Sequence, residues 1–328
     1  VGNYALFAGG SDGSSSYRNT VDAYNTELVR STPTALSVAR YLLAGASVGN
    51  YALFAGGSDG SSSYRDTVDA YNASLVRSTP TALSLARREL AGASVGDYAL
   101  FAGGSDPSYK DIVDAYNTDL VRSTPSALSV ARSSLAGASV GNYALFAGGS
   151  GSSGTRNTVD AYNASLVRTT STALSVARST LAGASVGNYA LFAGGYTRDT
   201  VDAYNASLVR STPTALSVAR YALAGASVGN YALFAGGSDG SSSYRNTVDA
   251  YNTDLVRSTP SALSLARYYL AGASVGNYAL FAGGNATGTT SGYRNTVDAY
   301  TLQALVAILY LPVGTKYKFG VAEETAAS

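Results

Sequence analysis

Three side-chain types in this chain could do chemistry, and each recurs in register. One aspartate position is filled seven times, by Asp22, Asp69, Asp114, Asp160, Asp202, Asp249 and Asp298. Two arginines follow at fixed spacing, as Arg30 and Arg40 after the first aspartate, with equivalents in later copies. Tyrosine is abundant, with 26 residues, while His, Cys, Met and Trp are absent. Imidazole acid–base work, thiolate nucleophiles and the usual transition-metal ligand sets therefore have no residues to draw on. Seven like carboxylates are also a poor catalytic pattern, since acid/base pairs depend on unlike environments. Recurrent Asp and Arg in an apolar framework read as buried, paired charges that tie repeats together. No catalytic residue is assigned, and no cofactor or metal is expected.

Three further motifs invite a functional reading. GGSDGSSS resembles a phosphate cradle, but such a loop needs a helix N-terminus behind it, and a strand pattern follows here. The double glycine then reads as a tight strand exit with unusual backbone angles. SDGSSSY offers one carboxylate where a calcium loop wants several charged oxygens. Asn72, Asn163, Asn205 and Asn285 begin N-x-S/T sequons, three of them in one repeated turn.

Composition narrows the field. Charged residues are only 13% of the chain and the formal net charge is +1, so nothing points to nucleic acid or an anionic membrane. No apolar run reaches the roughly 20 residues of a membrane-spanning helix. The sequence opens at Val1 in phase with a repeat, which reads as a mature or trimmed product, or as one part of a larger chain or assembly.

The elements that position these residues come from self-similarity. VGNYALFAGG, or VGDYALFAGG once, starts at Val1, Val48, Val95, Val140, Val186, Val228 and Val275. Periods near this length belong to propeller blades. Each unit predicts four strands: LAGASV, YALFAGG, TVDAY and LVRSTPTALS. A Gly-Asn or Gly-Asp hairpin joins the first two. Strand two is apolar on both faces, as stacked blades require, and strand one holds only small residues, as expected near a crowded axis. The chain holds five complete blades, strands two to four of a first, and strands one to three of a last. The prediction is an all-β, seven-bladed propeller of four-stranded antiparallel blades over residues 1–321. Its ring is expected to close through the non-repeat tail, with strands near 303–321 and a disordered end at 322–328.

The unit resembles the kelch repeat: Arg40, an apolar strand, a hydrophobic run ending in Gly9–Gly10 or its equivalent, a variable loop, then a strand with Tyr24 or its equivalent. The likeness covers about residues 1–300. The usual Trp of the outer strand is missing, its place taken by Leu28–Val29 and their counterparts. The wording of the repeat is similar to that of highly repetitive bacterial and phage kelch-like proteins. The resemblance implies a binding scaffold; the family's copper-oxidase branch needs His ligands that this chain does not have.

Copy-to-copy variation locates the candidate site. One variable zone is the pair after Ala-Arg, containing Tyr41, Arg88, Glu89, Tyr221, Tyr268 and Tyr269. The other is the loop after the double glycine, 4 to 11 residues long, with Tyr17, Tyr64, Tyr109, Tyr196, Tyr244 and Tyr293. An antiparallel blade puts both zones on one end of the disc, and their Tyr, Ser, Gly and Asn content suits an adaptable binding surface. The expected function is non-enzymatic binding of a protein or glycan ligand outside the cell, on a bacterial surface or virion. The alternatives are a structural spacer without a ligand and a His-free glycan-active enzyme.

Overall fold

The computed structural model describes residues 1–13, 16–60, 63–240, 243–286 and 292–302. Every element among them is a strand. Seven antiparallel sheets radiate as blades from one axis, giving the seven-bladed β-propeller that the repeats predict. The inner strands are Ala44–Val48, Ala91–Val95, Ala136–Val140, Ala182–Val186, Ala224–Val228 and Ala271–Val275. The second strands begin at Tyr4–Ala8 and the third at Val21–Asn25, each repeating seven times up to Tyr278–Ala282 and Val297–Thr301. Blades 2 to 6 carry all four strands, while the described residues of blades 1 and 7 form three each. Blade 1 has no inner strand among them, and blade 7 no outer one. The proposed closing strands at 303–321 and the tail at 322–328 lie outside the described residues.

The outer strand is shorter than the sequence suggests. LVRSTPTALS predicts a long strand, but in most blades only two residues pair, as in Arg30–Ser31 and Arg122–Ser123. Proline two positions later has no N–H to offer the ladder and ends the pairing. Blade 4 shows the cause directly. Ser171 stands where other units have proline, and its outer strand runs on through Arg168–Ser171.

Neighbouring blades pack face to face. Leu100, Ala102, Val113 and Ala115 of blade 3 and Leu128 and Leu135 of the crossover meet Ala144, Phe146 and Tyr162 of blade 4 in one buried cluster. Phe146 meets Tyr162 edge to face, with ring centroids 6.0 Å apart. Burying a large apolar side chain contributes about 1.5–3 kcal/mol, so each such face is a substantial share of the stability. The ring is closed by the same kind of contact, since Ala5 of blade 1 packs with Val275 and Leu280 of blade 7.

The recurrent charges sit inside these interfaces. Arg40, which leads into blade 2, pairs with Asp69 of that blade's third strand at 2.8 Å, both side chains fully buried. The same pair recurs as Arg87–Asp114, Arg132–Asp160, Arg178–Asp202 and Arg220–Asp249. Burial works against each guanidinium's charge and lowers its pKa, and the aspartate beside it opposes that shift. The aspartates also accept from a serine on the crossover that carries the arginine, as when Ser37 donates both its N–H and its hydroxyl to Asp69. These are paired structural charges.

Candidate functional site

The two variable zones meet through the backbone. Tyr41 bridges Ser58, which opens the next blade's loop, and Ser58 in turn bridges Tyr64 at that loop's far side. Tyr221–Ser238–Tyr244 and Tyr268–Asn285–Tyr293 repeat the arrangement. Arg88 bridges Ser105, and Ser133 bridges Ser150. The crossover pair of one blade and the long loop of the next therefore form one continuous patch. The bridging Ser58, Ser238 and Asn285 were not singled out from the sequence, although a Ser or Asn directly after the double glycine in six of the seven copies was the available signal.

A second backbone feature fixes where the crossover side chains point. The second residue of each pair is left-handed: Leu42, Glu89, Ser134, Thr180, Ala222 and Tyr269 have φ between 52° and 58°. Their peptide groups link blade to blade. Glu89 N–H donates to the Leu42 carbonyl, Ser134 to Glu89, Thr180 to Ser134, Ala222 to Thr180 and Tyr269 to Ala222. This belt of 2.9–3.0 Å bonds runs from crossover to crossover and ends at Leu42 and Tyr269.

The tyrosines gather along this belt. Tyr17 stacks on Tyr41 with ring centroids 4.7 Å apart. Tyr244 stacks on Tyr268 at 4.3 Å, and Tyr268 touches Tyr269 at 4.7 Å. Tyr196 tilts against Tyr221 at 5.5 Å. Arg88 lies over the Tyr64 ring, 5.3 Å from its centre. Glu89 holds the hydroxyls of Ser133 and Ser134 at 3.0 and 2.9 Å and lies beside Arg88. Burial, then Tyr221 and Glu89, push the Tyr269 phenol above its ordinary range. Burial and a hydrogen bond to Tyr244 push Tyr268 up as well.

A cavity of about 1630 Å³ runs along blade 1 between the walls of blades 2 and 7, and one end of it reaches these side chains. Tyr17, Tyr41, Glu89, Tyr268, Tyr269 and Tyr293 line it; Arg88, Tyr64, Tyr109, Tyr196, Tyr221 and Tyr244 stand outside its lining. Tyr109 and Tyr196 are exposed on the same loops. The twelve predicted residues thus divide into a rim around one cavity and an outlying arc.

The other motifs have local roles. Asp59 pairs with Arg65 across its own loop, and Asp12 with Arg18. No group of three or more His, Cys, Asp or Glu side chains gathers among the described residues. Asn72, Asn163 and Asn205 each accept two backbone N–H bonds through the side-chain oxygen, closing the turn into the outer strand.

Comparison with known proteins bears on the fold. The chain is similar in structure to YjhT. The match has a TM-score of 0.64 at 13% identity and covers 81% of this chain and 96% of that one. At that identity the likeness extends to the propeller architecture. No family model and no curated protein matches the sequence.

Proposed function

We propose that the chain is a non-enzymatic, kelch-type binding module that takes a protein or glycan ligand at the tyrosine-lined end of this cavity. The observation that carries this reading is the convergence of Tyr17, Tyr41, Tyr268, Tyr269 and Tyr293 with Glu89 on one cavity, from segments that are the variable parts of the repeat. Tyrosine presents large, rigid contact area with a polar tip, which suits both sugar faces and peptide groups. The framework beneath is nearly invariant, so the copies differ where a ligand would touch. Polar composition and low charge support placement outside the cell, on a bacterial surface or virion.

The test is a glycan array and a surface-protein binding screen with the intact chain, repeated with Tyr221→Ala, Tyr268→Ala and Tyr269→Ala combined. The triple variant should keep the parent's circular dichroism and lose most of the binding. Unchanged binding by a folded triple variant, with loss on changing the opposite end of the disc, would place the ligand elsewhere.

A further inference from the structure

The outer edges of the blades are not alike. In five of the six described outer strands the sequence reads Arg-Ser-Thr-Pro, ending at Pro33, Pro80, Pro125, Pro213 and Pro260. Each of those strands pairs over two residues only. Blade 4 reads Arg168-Thr169-Thr170-Ser171, and its outer strand pairs over all four. Two changes at one site act in the same direction. Serine for proline returns the N–H that the ladder needs, and threonine for serine puts a β-branched residue on an exposed strand. Proline is one of the devices that keep edge strands from pairing with other chains. Blade 4 has lost it where its sister blades keep it.

The register says which groups this edge offers. Asn163 donates its N–H to the Val167 carbonyl, so these two residues form a hydrogen-bonded pair. Bonded and non-bonded pairs alternate along an antiparallel ladder. Ala161–Thr169 and Val159–Ser171 are therefore bonded pairs, whereas Tyr162–Arg168 and Asp160–Thr170 are not. The N–H and C=O of Arg168 and of Thr170 thus face away from the sheet. Arg168–Ser171 is the last strand of that sheet, and Thr169 and Thr170 are exposed. The charge at this edge is already met, since the Arg168 guanidinium donates to Asp160 and to the Thr170 hydroxyl, each at 2.9 Å.

We propose that this edge is a self-association site: Arg168–Ser171 pairs antiparallel with the same strand of a second copy, joining two blade 4 sheets into one. The edge is complementary to itself in one register. Setting Arg168 opposite Thr170 of the second copy gives every outward group of these two residues a partner. It also sets Thr169 opposite Thr169, a favourable cross-strand pair. Setting Arg168 opposite Arg168 would bring like charges face to face and leave Thr170 with no strand residue across from it. Setting Thr170 opposite Thr170 would keep only one bonded pair within the strand. The contact is isologous, so each chain uses up this edge and assembly stops at two. The site is independent of the ligand reading above, because it rests on the outer edge of blade 4 and not on the tyrosines.

The experiment compares the chain with a Thr169→Ser, Ser171→Pro double variant, which restores in blade 4 the Arg-Ser-Thr-Pro that five folded sisters already carry. Sedimentation over a concentration series should take the parent's mass from one chain toward two and no further. The double variant should associate at least about tenfold more weakly, since every inter-chain bond uses Thr170 and proline ends the strand before it. Residue-resolved amide exchange tests the register on the parent alone. The Thr169 N–H, bonded within the sheet, should be slow at every concentration, and those of Arg168 and Thr170 slow only in the dimer. The proposal is overturned by a parent that stays at one chain or grows beyond two. It is equally overturned by a double variant that associates as well as the parent, or by a dimer in which Arg168 and Thr170 exchange as fast as in the monomer.

Discussion

Arg132 and Asp160 pair at 2.9 Å with neither side chain exposed, joining the crossover into blade 4 to that blade's third strand. The guanidinium also donates to the Phe146 and Val130 carbonyls, and Ser129 bonds the carboxylate from the other side. Such a pair costs desolvation on both partners, so its net worth is small while it stays intact. Breaking it is a different matter. Asp160→Ala should lower stability by about 3–5 kcal/mol, because it leaves a buried guanidinium without its counter-charge. Arg132→Met combined with Asp160→Leu should recover much of that loss. Urea denaturation followed by circular dichroism measures both, and equal losses in the single and double variants would contradict the pairing argument.

Stability should fall in alkali for a reason that repeats around the ring. Tyr71 donates its hydroxyl to the Thr34 carbonyl at 2.7 Å, and Tyr116, Tyr162, Tyr204 and Tyr251 make the same bond at 2.8 Å. Burial first, and the nearby aspartate second, push these phenols above their ordinary value of 10.0. A raised acid is neutral in the folded state where the unfolded chain has already ionised. Its stabilisation is therefore complete below about pH 10 and is lost as pH rises from there through the folded value. Melting temperature should hold up to about pH 9 and then drop steeply. Tyr162→Phe should lower the plateau and soften the alkaline drop.

Much of this architecture is legible in the repeats, and the rest depends on geometry that spacing alone does not carry. Repeat starts and the Gly-Asn hairpins are enough to place every second and third strand, because period and turn chemistry are local. That Asp and Arg are paired structural charges is also readable. Which Arg meets which Asp is not: Arg40 reaches Asp69, 29 residues on, across a fold the sequence does not draw. The outer strand is shorter than LVRSTPTALS suggests, because in the sheet the proline's missing N–H decides. The left-handed turn at Leu42, Glu89 and their equivalents carries no glycine signal, so the belt from crossover to crossover was invisible. Antiparallel order alone puts the two variable zones on one end; which tyrosines reach the cavity depends on the fold of each loop.

That left-handed turn makes its own prediction. Ala222 sits at φ 52° and is buried. A β-branched side chain is strained there by roughly 1–2 kcal/mol, while glycine adopts the angle freely. Ala222→Val should lower the melting temperature, and Ala222→Gly should leave it unchanged or raise it slightly. Differential scanning calorimetry on the two variants decides it; equal melts would mean that the belt bends to suit the residue.

Finally, two glycines at equivalent positions should answer the same substitution differently. A Cβ on Gly137 would lie 2.2 Å from the Gly92 carbonyl oxygen, a contact with backbone that no rotamer can relieve. Inner strands must shift apart to admit it, which weakens the bond that the Ser139 hydroxyl donates to the Ser94 carbonyl and the apolar packing on both sides. Gly137→Ala should therefore cost at least about 1–3 kcal/mol, the usual range for overpacking. At Gly45, whose added Cβ would point toward blade 1, the nearest atom among the described residues is the Phe54 ring at 3.5 Å, an ordinary contact. Gly45→Ala should be within about 0.5 kcal/mol of the parent in a urea melt, since a surface change without a clash rarely does more. A large loss at Gly45 would mean that its free side is packed as tightly as the five glycine contacts at Gly92, Gly137, Gly183, Gly225 and Gly272.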